Sequence, residues 1–116
     1  MSTKSIDSIE KAAQILKLLG DKTRLSMVKL IENNECCVCE FVDIYQASQP
    51  SISQHLRKLR DAELVKERRK GQWVFYSLNK ESPYHEFVLG ILESVPSQDE
   101  RLKELEKQGL RISCCE

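Results

Sequence analysis

The sequence predicts a mostly α-helical domain carrying one β-hairpin, and three observations support that expectation. Apolar residues recur at helical spacing through most of the chain. One segment, "LVKERRKGQWVFYSL", instead reads as two strands around Lys70-Gly71. The chain is 116 residues long, enough for one domain with a modest core that oligomerisation would help. Residues 1–109 are read as that domain, and 110–116, ending in "RISCCE", as a tail.

The first helix is expected from about Ile6 to Leu19. Ile9, Ala12, Ala13, Leu16 and Leu19 share one face, while Ile15 and Leu18 point elsewhere. A helix apolar on two sides needs two partners, its own core and a second subunit. Gly20 stops it, and Asp21 is placed to cap a second helix running from about Lys22 to Glu32. That helix turns Leu25, Met27, Val28, Leu30 and Ile31 towards the core. A third, short helix is expected over Val38–Tyr45, beginning inside a cysteine cluster. Ser48 caps a fourth, with Pro50 in the first turn where a missing N–H costs nothing. It runs to about Ala62 with Ile52, Leu56 and Leu59 inward. After the hairpin come helices near 83–95 and 97–109, the second highly charged. Two short helices joined by a tight turn and followed by a basic hairpin make a winged helix-turn-helix.

Charge supports the same reading. The net formal charge is zero, but residues 1–50 carry −1, residues 51–80 carry +5 and residues 81–116 carry −4. The basic middle coincides with the fourth helix and the hairpin, as a polyanion-binding surface requires. With Ile52, Leu56 and Leu59 inward, the opposite face of the fourth helix carries Ser51, Gln54, Arg57 and Lys58, with Ser53 at its side. Gln and Arg are the side chains that bond adenine and guanine edges bidentately. The hairpin adds Arg68, Arg69 and Lys70 for the minor groove or the phosphates. His55 flanks the apolar stripe and is grouped with these residues, although a hydrogen-bonded, partly buried histidine is the plainer reading.

Several functions are disfavoured. No run of about 18 apolar residues is present, and the N-terminus lacks a signal peptide's basic start and apolar stretch. A cytoplasmic protein without membrane contact is expected. Only two histidines and no glycine-rich phosphate loop argue against an enzyme. No heptads persist for a coiled coil. Five cysteines, an odd number, in a reducing compartment are better suited to binding or sensing than to a disulfide scaffold.

The segments "LGDKTRLSMVKLI", "ECCVCEF" and "SQPSISQHLRKLRDAELVKERRKGQWVFYSL" closely resemble the ArsR/SmtB family of dimeric winged-helix repressors, across about residues 9–80. The resemblance implies a homodimer on twofold-symmetric operator DNA, with the first and C-terminal helices at the dimer interface. Release from DNA would follow inducer binding. Arsenic-sensing members carry E-L-C-V-C-[DE] at the start of the third helix. "ECCVCE" matches it with Cys37 and Cys39 as the motif cysteines and Cys36 in place of leucine. The D-x-H…H pattern of the family's zinc sensors is missing. The implied effector is trivalent arsenic or antimony, As(III) or Sb(III), soft ions that favour thiolates; the cysteines alone leave Cd(II) and Pb(II) open beside them. Trivalent arsenic takes three thiolates, and the position where some members carry a third cysteine is Val42 here. The third ligand is open between Cys36, Cys114 and Cys115; the tail pair has little packing rationale, and Cys36 could be a small buried residue.

Residues i and i+2 of a regular helix lie about 200° apart and do not face each other. An ion held by both Cys37 and Cys39 is therefore expected to unwind the start of the third helix and so displace the fourth. The rival reading is a thiol redox or polysulfide sensor built on the same cysteines.

Overall fold

The computed structural model describes residues 8–111. The expected start of the first helix at Ile6, and the tail cysteines Cys114 and Cys115, lie outside that range. Among the described residues the chain forms α1 (Ile9–Leu19), α2 (Lys22–Leu30), β1 (Cys36–Cys37), α3 (Val38–Tyr45), α4 (Gln49–Asp61), β2 (Val65–Lys70), β3 (Trp73–Leu78), α5 (His85–Leu92) and α6 (Asp99–Lys107). The architecture is the winged helix-turn-helix expected from the pattern, with α5 and α6 shorter than the apolar periodicity implied.

Side-chain caps set the helix starts. Ser8 Oγ accepts from Lys11 N at 3.0 Å, Asp21 Oδ2 from Arg24 N at 3.0 Å, and Ser48 Oγ from Ser51 N at 3.2 Å. Each satisfies an N–H that the helix itself leaves open. Gln46 ends α3 in the left-handed region at φ 52°, which turns the chain sharply into α4. At the hairpin tip Lys70 pairs with Trp73 across a two-residue turn, and Gly71 takes φ 61°, which costs glycine little.

The core joins α1 (Ile15, Leu19), α2 (Met27, Val28, Leu30), α3 (Phe41), α4 (Ile52, Leu56, Leu59), the sheet (Val65, Tyr76, Leu78), α5 (Val88, Leu92) and α6 (Leu102). Ser26 on α2 ties two further elements to it. Its Oγ lies 2.6 Å from Tyr45 Oη on α3 and donates to Gln98 Oε1, just before α6, at 2.9 Å.

Two expectations are corrected here. On α1 the core-facing residues are Ile15 and Leu19, whereas Ile9 is 77% and Leu16 52% exposed. The helix is two-sided as expected, but most of the stripe read as its main apolar face points outward. The sheet also has three strands, in the order β1-β3-β2, all antiparallel. The extra strand is the cysteine pair itself, Cys36 opposite Tyr76 and Cys37 opposite Phe75. Two residues are too short to show alternation, so the sequence carried no sign of it.

Candidate DNA interface and thiol pair

Burial of Ile52, Leu56 and Leu59, each at most 1% exposed, fixes the roll of α4. Gln54, Arg57 and Lys58 are then exposed, and Ser51, Ser53 and His55 partly so. The three exposed side chains project from the helix that follows the turn, where direct base contact requires them. His55 is also tied to the scaffold. Its Nδ1 lies 3.2 Å from Arg24 Nη1, and Arg24 Nε donates to Leu18 O at 2.8 Å. Burial, more than its charged neighbours, lowers the His55 pKa, so the ring stays neutral and can accept from Arg24.

On the wing, Arg69 is exposed and Lys70 stands at the turn. Arg68 is engaged elsewhere. Its Nε and Nη2 each donate to the Glu35 carboxylate at 2.9 Å, and its guanidinium lies 5.1 Å from the Phe75 ring centroid. These hydrogen bonds hold the Glu35 carboxyl below its usual range. Arg68 therefore fastens the wing to the residue preceding β1.

The strand register sorts the cysteines. Partners across a sheet share a face, and successive residues alternate. Cys36 shares a face with Tyr76 and joins the core, fully buried. Cys37 lies on the other face with Phe75 and Trp73. Cys37 is also the N-cap of α3, with extended backbone at φ −93° and ψ 167°, and Cys39 sits in the first turn. The two sulfurs are 2.8 Å apart, well beyond the ~2.05 Å of a disulfide. The expected helix start at Val38 holds, with Cys37 before the helix and Cys39 within it, and the two sulfurs meet without the unwinding that the i, i+2 spacing led us to expect.

The pair opens onto a cavity of about 220 Å³. Its walls include Gln49, the first residue of α4, and Gln72 and Trp73 at the wing tip. Burial raises both the Cys36 and Cys37 thiols to about 12, so both are protonated at neutral pH. Among the described residues no three of His, Cys, Asp or Glu gather into a metal-binding group.

Sequence reasoning missed the residues that hold the pair in place. Glu40 is fully buried; its Oε1 accepts from Cys37 N at 2.9 Å and its Oε2 from Arg111 Nη1 at 2.6 Å. Arg111 Nη1 also donates to Glu35 O at 3.2 Å. A glutamate three residues after an N-cap is the reach-back half of a capping box. Cysteine is not a customary cap, which hid the signal in C-V-C-E.

A profile described as bacterial regulatory protein, arsR family, matches residues 21–67. The HTH-type transcriptional regulator MJ1325 of Methanocaldococcus jannaschii is 47% identical over 72 residues, 61% of this chain and 81% of that protein. The arsenic resistance transcriptional regulator ArsR2 of Pseudomonas putida is 38% identical over 108 residues, 87% of this chain and 94% of that protein. The chain belongs to the arsR family. Among solved structures, reduced HlyU from Vibrio cholerae superposes with a TM-score of 0.64 at 33% identity, covering 72% of this chain and 83% of that one. As an arsR-family member the chain is a DNA-binding transcriptional repressor and not an enzyme. Among the described residues no helix is long and apolar enough to cross a membrane.

Proposed function

We propose that this chain represses transcription as a homodimer on operator DNA and is released when As(III) or Sb(III) bridges Cys37 and Cys39. The observation behind this reading is the 2.8 Å approach of the two sulfurs in a cavity walled by the first residue of α4 and the wing tip. A ligand there touches both DNA-reading elements at once. The exposed Ile9 and Leu16 on α1 supply an apolar strip for a second subunit. Resistance to arsenic, named for the Pseudomonas relative, is the matching physiological role.

The chemistry suits a metalloid hydroxide. Each As–O bond that breaks releases hydroxide, each As–S bond that forms releases a thiol proton, and the two leave as water. No charge is left in the site, whereas a bare divalent cation would have to expel protons from thiols that burial holds protonated. For the third thiolate, Cys36 faces the core, opposite to Cys37. Cys114 is three residues beyond Arg111, a reach of about 10 Å at full extension. Arg111 is anchored beside the pair at Glu35 and Glu40, which favours Cys114 or Cys115 as the third ligand.

The test is operator binding by fluorescence anisotropy under a phosphine reductant. Cys37→Ser and Cys39→Ser should each keep DNA affinity and lose arsenite-driven release. Normal release by Cys37→Ser rejects the reading. The same sulfur proximity favours one alternative, a two-electron oxidation by peroxide or polysulfide that joins Cys37 to Cys39. Release by oxidant but not by arsenite selects it.

A further inference from the structure

Away from the thiols, α1, α2 and α4 enclose a groove of about 450 Å³. Ile15 is buried and Leu18 and Ala62 are half-buried, so they form its base. Lys17, Arg24 and Lys58 stand around it. Among the described residues neither Lys17 nor Lys58 is in an ion pair. Arg24 is held by Leu18 O and His55 Nδ1, which fixes its guanidinium at the groove wall. A fourth cation in the lining, Lys11, lies 5.3 Å from the Tyr84 ring centroid. The carboxylate in the lining, Asp61, has Arg60 at 3.7 Å, outside the groove. The result is a concave, net positive surface over an apolar base.

Its place on the molecule matters as well. Lys11, Gln14 and Leu18 share one side of α1, roughly opposite Ile9 and Leu16 at about 100° per residue. A second subunit on the Ile9–Leu16 strip therefore leaves this side of α1 open. Lys58 belongs to the outer face of α4, so the groove borders the DNA-reading surface.

We propose that this groove binds a small amphipathic carboxylate, with its anionic head between Lys17, Arg24 and Lys58 and its apolar body on Ile15, Leu18 and Ala62, and that the ligand competes with the operator for Lys58. The site is separate from the thiol pair and does not rest on metalloid binding. A cleft lined by one sign of charge concentrates counter-ions. One guanidinium and two ammonium groups supply charged donors for both carboxylate oxygens. The apolar base separates this ligand from a DNA phosphate, which has no apolar body to place there. Each methylene that leaves water is worth about fourfold in affinity.

The experiment titrates the full chain with octanoate, acetate and octylammonium, followed by amide NMR shifts. Octanoate should move Gln14, Leu18, Arg24 and Lys58, and bind at least tenfold tighter than acetate and than octylammonium. Lys17→Gln should weaken octanoate at least fivefold, and Lys17→Arg should restore it to within twofold. The Cys37→Ser/Cys39→Ser variant should bind octanoate as wild type does. Saturating octanoate should weaken operator binding at least fivefold. Without octanoate, Lys17→Gln should bind the operator within twofold of wild type. No octanoate binding, or shifts centred elsewhere, overturns the proposal. A preference below tenfold over octylammonium makes the groove merely apolar, and one below tenfold over acetate makes it merely basic; either overturns it. If Lys17→Gln alone weakens the operator beyond twofold, the groove holds backbone phosphate and the proposal fails. All these outcomes leave the reading of Cys37 and Cys39 where it stood, since no metalloid is present.

Discussion

Replacing Arg111 by methionine tests how the thiol pair is held. Glu40 is fully buried, and its carboxylate has the Cys37 N–H at 2.9 Å and the Arg111 guanidinium at 2.6 Å. Removing one partner of a buried ion pair costs about 3–5 kcal/mol, because the other charge is left uncompensated. The Arg111 side chain is 24% exposed, so water can reach part of the gap. With that screening the expected loss is about 2 kcal/mol for Arg111→Met. Glu40→Gln keeps an oxygen for the Cys37 N–H and removes the charge. The double variant should therefore lose less than the sum of the two single losses, with a coupling of about 1–2 kcal/mol. The assay is urea unfolding at one fixed protomer concentration, since an oligomer's stability depends on it. A change within about 0.5 kcal/mol for Arg111→Met, the range of an ordinary surface substitution, refutes the reasoning. So does strict additivity in the double variant.

Three further outcomes follow from the geometry. Arg57→Ala should relax base preference, whereas Arg69→Ala should weaken binding evenly across sequences and lower the salt slope by about 1; equal effects in a binding-site selection remove the distinction. His55 has a folded pKa below its ordinary 6.5, chiefly through burial, with Asp21, Arg24 and Lys58 as its charged neighbours. Its contribution to stability is complete above about 6.5 and is lost as pH falls towards the folded value, because the unfolded chain takes up the proton first. Wild type should therefore lose more melting temperature between pH 7.5 and 5.5 than His55→Gln, and parallel curves speak against it. Leu16→Asp with Ile9→Asp places charge on the exposed strip of α1 and should convert a dimer to monomers by sedimentation velocity; an unchanged sedimentation coefficient argues against that interface.

Much of the fold was legible because it is written in long repeats. Ile52, Leu56 and Leu59 fixed α4 and, by exclusion, its outer face, and Lys70-Gly71 between aromatic and β-branched residues fixed the hairpin. Long-range pairings were not legible. Nothing local shows that Cys36–Cys37 would meet Phe75 and Tyr76, nearly forty positions away, and make a strand of two residues. The same holds for Glu40 with Arg111 and for Glu35 with Arg68, charges far apart in sequence that brace the cysteine segment. On α1 the periodicity identified two apolar sides but could not say which would meet this core, because that depends on how α2 and α4 pack against it.

Under the proposed binding at Cys37 and Cys39, the place of Cys37 on β1, before α3, sets how binding would be transmitted. Cys37 is held by β1 pairing to Phe75 and by the Glu40 carboxylate, which Arg111 holds in turn. Cys39 stands on the first turn of α3, which packs against α4. An atom inserted between sulfurs 2.8 Å apart must spread them, and the less restrained side moves. The displacement then falls on α3 and on the walls it shares with Gln49 and Trp73, with no helix melted. A ligand shifts the operator equilibrium only through its differential affinity for the two arrangements, and a swing from 99:1 to 1:99 needs about 5.5 kcal/mol. Spread over two DNA-reading elements in each subunit of the proposed homodimer, that is on the order of 1–2 kcal/mol per element, within the usual range of allosteric coupling. Amide hydrogen exchange reads the pattern directly. Arsenite should change protection in the first turn of α4 and across Lys70–Val74 while α5 stays as it was. A change confined to α3, or loss of protection along the whole of α3, contradicts this route.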